Sequence, residues 1–325
     1  HMKELSLTKN SFIGQQSILE AFHEMNRKGL LGHAYALTGP EGIGKKTLAH
    51  ELARMLLCYE SPEKAPCGMC NACKTLEAGS NPNLVRIAPK TQKILIEQIR
   101  VLIDDIGVKP PYGRKVYIIE DADRMTQQAQ NCLLKTLEEP PAYAVIIMTV
   151  SHFASLLVTI RSRAAQIKLS RYTPQEIKQI LELKGIREAD MSSIIAFSEG
   201  IAGKAIALAQ NAGFKALREM VLRFIFNQGE RTGDHLALNQ YLSQNKEAMA
   251  DCLAIMEAVY RDTAFVLSGK TDGLINSDKR DNIFAYAQRH TFREINEKMA
   301  LIDEIRGHLG NYMNYQLAVD MITLS

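Results

Sequence analysis

Gly39 to Thr47 reads Gly-Pro-Glu-Gly-Ile-Gly-Lys-Lys-Thr, one residue away from a phosphate-binding loop. That pattern asks for Gly, four residues, Gly, Lys and then Ser or Thr. Gly39, Gly44 and Lys45 fit, but Lys46 stands where the hydroxyl belongs. Gly39, Gly42 and Gly44 let backbone N–H groups wrap around phosphates, and the helix that follows adds its positive end. Lys45 would reach the terminal phosphates. The missing hydroxyl is the group that holds Mg²⁺, so the loop can cradle a nucleotide yet is poorly equipped to hydrolyse it. Thr47 is no substitute, because one step along a helix turns a side chain by about 100°.

A second group is Cys58, Cys67, Cys70 and Cys73, spaced Cys-x8-Cys-x2-Cys-x2-Cys. In a cytosolic chain such a cluster reads as a metal site before a disulfide. Four thiolates suit tetrahedral Zn²⁺, and a site with no open position is structural. Pro62, Pro66 and Gly68 supply the turns that such a knot requires. Free or oxidised thiols are the alternative. Cys132 and Cys252 sit alone in helical patterns and read as core-filling.

A third group closes an apolar run: Val116-Tyr-Ile-Ile-Glu-Asp-Ala-Asp123. In P-loop ATPases an Asp at such a strand end steadies Mg²⁺ and an adjacent Glu polarises the attacking water. Here Glu120 precedes Asp121, so each carboxylate is wrong in length by one methylene. A misplacement near 1 Å costs about a hundredfold in rate. The plainer reading is a solvated acidic turn. Thr149 ends another apolar run and either touches a γ-phosphate or is a simple strand-end hydroxyl. Ser162-Arg163 follow a short helical stretch, Phe153–Thr159.

These groups need a scaffold. Short apolar runs at Ala34–Thr38, Leu84–Ala88, Val116–Ile119, Ala144–Thr149 and Ala165–Leu169 have the form of strands buried on both faces of a parallel sheet. Helical patterns lie between them at Gln15–Arg27, Lys45–Cys58, Ile94–Ile106 and Thr126–Glu138, the last stopped by Pro140-Pro141. The alternation predicts an α/β doubly wound layer structure. After Leu169 the strand signal stops. Thr173-Pro-Gln-Glu176 opens a helix with a cap, proline and an acid, and short helices broken by Gly185, Gly200 and Gly203 run to about Gln210. From Phe214 the chain is helical again, with long patterns at Lys246–Leu267 and Thr291–Leu309. Domain boundaries are expected near 170 and 212.

With 325 residues, 46% of them apolar, the chain has core enough for two or three domains. His1-Met2 read as the remnant of a cleaved tag, with the natural start at Met2. No run of about 18 apolar residues appears, so a cytoplasmic protein without membrane contact is expected. A net charge of +3 is too mild to argue for nucleic acid, and with no tryptophan a base-stacking platform is not indicated.

Together these segments resemble the clamp-loader branch of the AAA+ ATPases, the family that serves bacterial DNA polymerase III. The resemblance rests on His33-Ala34-Tyr35 before the loop, the four-cysteine insert behind it, Asn131-Cys-Leu-Leu-Lys-Thr-Leu-Glu-Glu-Pro-Pro141, and Thr159-Ile-Arg-Ser-Arg163. It covers roughly the first 210 residues. It implies an AAA+ P-loop domain over 1–170 carrying the zinc module (58–73), a small helical lid domain over 171–211, and an all-α collar domain over 212–325. It implies siblings of the gamma/tau and delta kinds in a ring-like pentamer, which opens the sliding clamp and places it on primed DNA. Arg163 matches the family's arginine finger, a residue that acts in the ATP site of a neighbouring subunit; Ala164 replaces the family's Cys beside it. Lys204 stands where motor subunits carry a second sensing Arg, and a Lys lacks the planar fork. The departures weaken the chain's own ATPase site and spare the finger. A non-motor stator is therefore expected, holding Zn and at most ATP or ADP as a structural ligand. A hydrolysing motor subunit of the same assembly is the first alternative. A DNA-binding zinc module, using Arg161, Arg163, Lys168 and Arg171, is the second.

Overall fold

The computed structural model describes residues 12–187, 191–227, 232–308 and 314–324; His1-Met2 lie outside them. The chain forms two compact units, one from residues up to Glu176 together with Ile201–Gly203, the other from Ile177–Gly200 and the chain from Lys204 onward.

In the first unit, strands and helices alternate as the apolar runs demand: α1 (Gln16–Lys28), β1 (Ala34–Thr38), α2 (Lys45–Leu57), α3 (Asn71–Glu77), β2 (Leu84–Ile87), α4 (Ile96–Ile106), β3 (Lys115–Ile119), α5 (Gln127–Glu138), β4 (Ala144–Val150), α6 (Val158–Arg161) and β5 (Ala165–Lys168). The strands make one sheet in the order β2-β3-β4-β1-β5, and each pairing is parallel. Leu37 pairs with Thr149 and Ile119 with Met148, so β1, β3 and β4 end side by side.

These three central strands are buried at every position. The two edges are not. β5 is largely exposed and β2 only partly covered, which corrects the expectation that all five strands are buried on both faces. An edge strand has a single neighbour, and a four-residue apolar run cannot reveal that position. Ile99 and Leu102 of α4 with Leu133 and Leu137 of α5 pack in one core with Tyr117, Ile119, Ile146 and Met148. Burying such side chains supplies about 1.5–3 kcal/mol each. Gly29 ends α1 in the left-handed conformation at φ 69°, its N–H reaching Met25 and Asn26 carbonyls, the stop that glycine makes cheap. Thr126 caps α5 by accepting the Ala129 N–H. The Phe153–Thr159 stretch is not one helix; a 3₁₀ turn over Phe153–Ser155 precedes the short α6.

Further helices are α7 (Pro174–Leu183), α8 (Met191–Phe197), α9 (Ala202–Gln210), α10 (Ala212–Phe226), α11 (Thr232–Gln244), α12 (Ala248–Leu267), α13 (Arg280–Gln288), α14 (Phe292–His308) and α15 (Tyr315–Leu324). Two of them open with the same device. Thr173 and Glu176 exchange N–H bonds before α7, as Thr291 and Glu294 do before α14, the reciprocal box that satisfies two orphan donors. In the second unit α12 is central, with Cys252, Ile255 and Val259 fully buried against α10, α13 and α14. A buried polar network ties α10 to the turn before α13: Arg218 donates to Asp278 at 2.8 Å and to Asn276 at 3.0 Å, and Asp262 accepts the Asn276 N–H at 2.8 Å. Leu309, the expected end of the Thr291 helix, lies outside the described residues. Among the described residues no helix is long and apolar enough to cross a membrane.

Replacing Ile147, fully buried in β4, by Ala is expected to cost about 2–5 kcal/mol in urea unfolding. Lys168→Ala on the exposed β5 is expected to change stability by less than about 0.5 kcal/mol.

Candidate functional site

The Gly39–Thr47 loop leaves the carboxyl end of β1 and enters α2, the place where open parallel sheets hold ligands. Gly44 takes φ 99°, and a β-carbon there would lie 2.8 Å from the Tyr172 hydroxyl. The Tyr172 ring also lies against Gly14, so one buried aromatic covers the backbone of both glycines. On the loop's other side the Gly203 N–H donates to the Gly42 carbonyl at 2.8 Å. A β-carbon on Gly203 would meet the Gly42 Cα at 2.8 Å; backbone touches backbone.

Lys45 is 5% exposed and folds back into its own loop. Its Nζ donates to the carbonyls of Gly39 at 2.7 Å and Pro40 at 2.9 Å and to Ser151 Oγ at 3.0 Å. All three ammonium hydrogens have acceptors. Burial pulls its pKa below the ordinary lysine value, against the pull of Asp123, Asp121 and Glu41.

Lys46 points to the acids that end β3. Its Nζ lies 2.9 Å from Asp121 Oδ2 and 3.2 Å from Glu120 Oε2. Arg86 of β2 donates through Nε to Glu120 Oε1 at 3.0 Å, and its Nη2 reaches the same oxygen. Glu120 is only 5% exposed, so the pair of acids is not a solvated turn. Burial favours the protonated form, but Arg86 and Lys46 outweigh it and hold the carboxyl below its ordinary value. Asp121 takes a left-handed φ of 52°, and its N–H donates to Thr149 Oγ1 at 2.9 Å. Thr149 is fully buried and braces that strained turn. Thr47 is exposed.

A nucleotide site of the P-loop kind implies Mg²⁺, held by a loop hydroxyl and a strand-end carboxylate. The residues present do not fit it, because an ammonium already stands within hydrogen-bond reach of both acids. Arg86, Tyr172 and Ser151 were not singled out by sequence reasoning. Arg86 is the polar member of an apolar edge strand, the one signal that its side chain has a task off the core. Nothing local marks Tyr172 or Ser151.

Arg163 follows α6 with its guanidinium about one-third exposed, Nη2 2.8 Å from Glu138 Oε1. Nη1 donates to the Thr159 carbonyl at 3.0 Å and to Ser162 Oγ at 3.2 Å. Glu138 ends α5, so the motif before Pro140 holds the arginine of the motif after α6. Lys204 is paired with Glu199 at 2.7 Å.

The four clustered cysteines converge. All four sulfurs lie within 4.8 Å of one another, with Cys58 to Cys70 at 3.9 Å and Cys67 to Cys73 at 4.0 Å. Metal–sulfur bonds of about 2.3 Å in a tetrahedron put sulfurs roughly 3.8 Å apart, so the set can hold a metal ion. The sulfurs accept N–H bonds: Cys67 N–H to Cys58 at 3.4 Å, Met69 and Cys70 N–H to Cys67 at 3.4 and 3.3 Å, and Cys73 N–H to Cys70 at 3.5 Å. Such donors favour thiolates. Burial alone would raise the Cys70 pKa, but N–H groups including those of Tyr59 and Cys73 bring it to about 7, whereas burial pushes the Cys58 and Cys73 thiols up. Cys252 is buried in the second unit's core and Cys132 is partly buried, both apart from the cluster.

Two family models match the chain: "DNA polymerase III, delta subunit" over residues 14–173 and "DNA polymerase III, delta subunit, C terminal" over 212–324. The delta' subunit of DNA polymerase III from Bacillus subtilis is 26% identical over 315 residues, 95% of each chain. The delta' subunit from Pseudomonas aeruginosa is 39% identical over 137 residues, 41% of this chain and 42% of that one. The tau/gamma subunit from Haemophilus influenzae is 35% identical over 170 residues, which is 52% of this chain. The chain spans only 25% of that relative's length. The full-length likeness and the two matched models together cover the P-loop unit and the helical region, and by them the chain belongs to the delta-prime family of DNA polymerase III clamp-loader subunits.

Proposed function

We propose that this chain is the stator of a clamp loader, a subunit that supplies catalysis to a neighbour and performs none itself. The observation that carries the reading is the contrast between two basic residues. Lys46 is spent inside the chain's own site, between Glu120 and Asp121. Arg163 stands just past a short helix with its guanidinium about one-third exposed, held by Glu138. A guanidinium so placed suits a phosphate presented by a second protein, and a finger in trans contributes about 10³–10⁵ in rate. Glu138 and the Thr159 carbonyl keep the fork oriented before the partner arrives.

In this reading the siblings are gamma/tau and delta subunits, and the assembly opens a sliding clamp and sets it on primed DNA in the cytoplasm. The names of the relatives support the siblings. The division into a P-loop domain (1–170), a lid (171–211) and a collar (212–325) is part of the proposal, and the gap between the matched segments, 14–173 and 212–324, supports it. ATP or ADP in this reading is a structural ligand and not a substrate. The motor alternative is disfavoured because Lys46 is paired with both Glu120 and Asp121, the acids a working site needs for Mg²⁺. The scattered charges of Arg161, Lys168 and Arg171 give the DNA-binding alternative no patch to rest on.

The metal of the cysteine knot is proposed to be zinc, held by Cys58, Cys67, Cys70 and Cys73. A closed tetrathiolate supplies no reaction; it fixes the insert between α2 and β2, where few apolar side chains are available to do so.

In the reconstituted complex, Arg163→Ala is expected to leave assembly intact and lower single-turnover ATP hydrolysis at the facing site by on the order of 10³. Unchanged turnover removes the trans role. Metal analysis of purified, reduced protein is expected to give one zinc per chain, and Cys70→Ser is expected to lose it together with part of the thermal stability. A folded, reduced wild-type chain without zinc overturns the metal assignment.

A further inference from the structure

We infer that the Lys46 ammonium is a built-in replacement for the divalent cation, so that this site is complete in charge without metal and excludes it. The inference deepens the stator reading at this one site, and it does not depend on Arg163.

Lysine at position 46 conflicts with its local surroundings. It is the second residue of α2, next to Lys45, and the first turn of that helix holds no acid. A cation there opposes the helix dipole. Where a residue breaks a local rule, the reason is to be sought beyond its own element. That reason is the end of β3, where one ammonium lies 2.9 Å from Asp121 Oδ2 and 3.2 Å from Glu120 Oε2. Its neighbour Arg86 takes the other oxygen of Glu120. Lys46 and Arg86 thus set two cations against two carboxylates.

Mg²⁺ in such a place needs near-octahedral oxygen ligands at about 2.0–2.1 Å and keeps several waters. None of this can be met while an ammonium sits against both acids, and a second cation beside it would face the repulsion of two positive side chains. The replacement is also carried by the chain itself, on a side chain that is about half exposed. A metal ion comes and goes with nucleotide, whereas Lys46 is tethered by its own chain. The strand-end acids are therefore held in one arrangement whatever the nucleotide state of the surrounding assembly. Thr149, bracing the Asp121 N–H at 2.9 Å, fixes the same turn from beneath.

The probe is Mn²⁺ alone, titrated into the zinc-loaded, full-length chain, with free Mn²⁺ read by its paramagnetic resonance signal. The wild type is expected to show no binding that depends on Asp121, so Asp121→Asn leaves its titration unchanged. Lys46→Ser is expected to gain one Mn²⁺ site at least tenfold tighter than any in the wild type, and Lys46→Ser/Asp121→Asn to lose it. Lys46→Arg, which keeps the cation, is expected to behave as the wild type. A wild-type Mn²⁺ site abolished by Asp121→Asn overturns the inference, and that comparison stands even where Lys46→Ser fails to fold. So does a folded Lys46→Ser chain that gains no site. Arg163→Ala in the complex reports on the stator reading alone, so the two failures are distinguishable.

Discussion

The parallel register of β1, β4 and β3 is the constraint on which the rest depends. Because Leu37 lies opposite Thr149 and Ile119 opposite Met148, the three strands deliver a glycine loop, a hydroxyl and two carboxylates to the same edge. A slip of one residue in either ladder would turn every side chain to the other face. The full burial of these strands is what makes such a slip costly. Lys46 finds Glu120 and Asp121 only because the sheet has already placed them.

The same constraint explains what could be read in advance. The central strands and the helices after them are long, apolar and well punctuated, and their predicted limits agree with the structure to within a residue or two. Burial of the edges was misjudged, because Leu84–Ile87 and Ala165–Lys168 resemble central strands in composition, and position in a sheet is a property of the whole topology. The four cysteines were legible as one site, since ligand spacing is local. The loop of Gly39–Thr47 was legible as a motif with a defect. What the defect does was not, because the partners of Lys46 lie far along the chain, and Arg86 is marked only by being the polar residue of an apolar strand. Tyr172 and Gly203 are hidden for the same reason. Each acts through shape, against Gly44 and Gly42, and shape has no signature in residue type.

Two kinds of order coexist in the first unit. The sheet is held by apolar burial, which does not depend on the redox or protonation state of thiols. The insert that carries the cysteines is held by sulfur, backbone N–H groups and turns, with Met69 and Tyr59 exposed beside it. Its stability therefore follows the state of the thiolates, while the sheet beneath it does not.

The contact between Gly203 and Gly42 has a consequence for how this chain can change over evolution. A β-carbon on Gly203 has no room against the Gly42 backbone, and Gly42 itself takes a left-handed φ of 79°, so the two positions are not independent. A β-carbon at 203 would push on the Gly42 backbone and reshape the phosphate loop from a distant part of the sequence. Genetic drift at one glycine is thereby restrained by the other, and a substitution outside any recognisable motif would behave as a lesion of the loop itself.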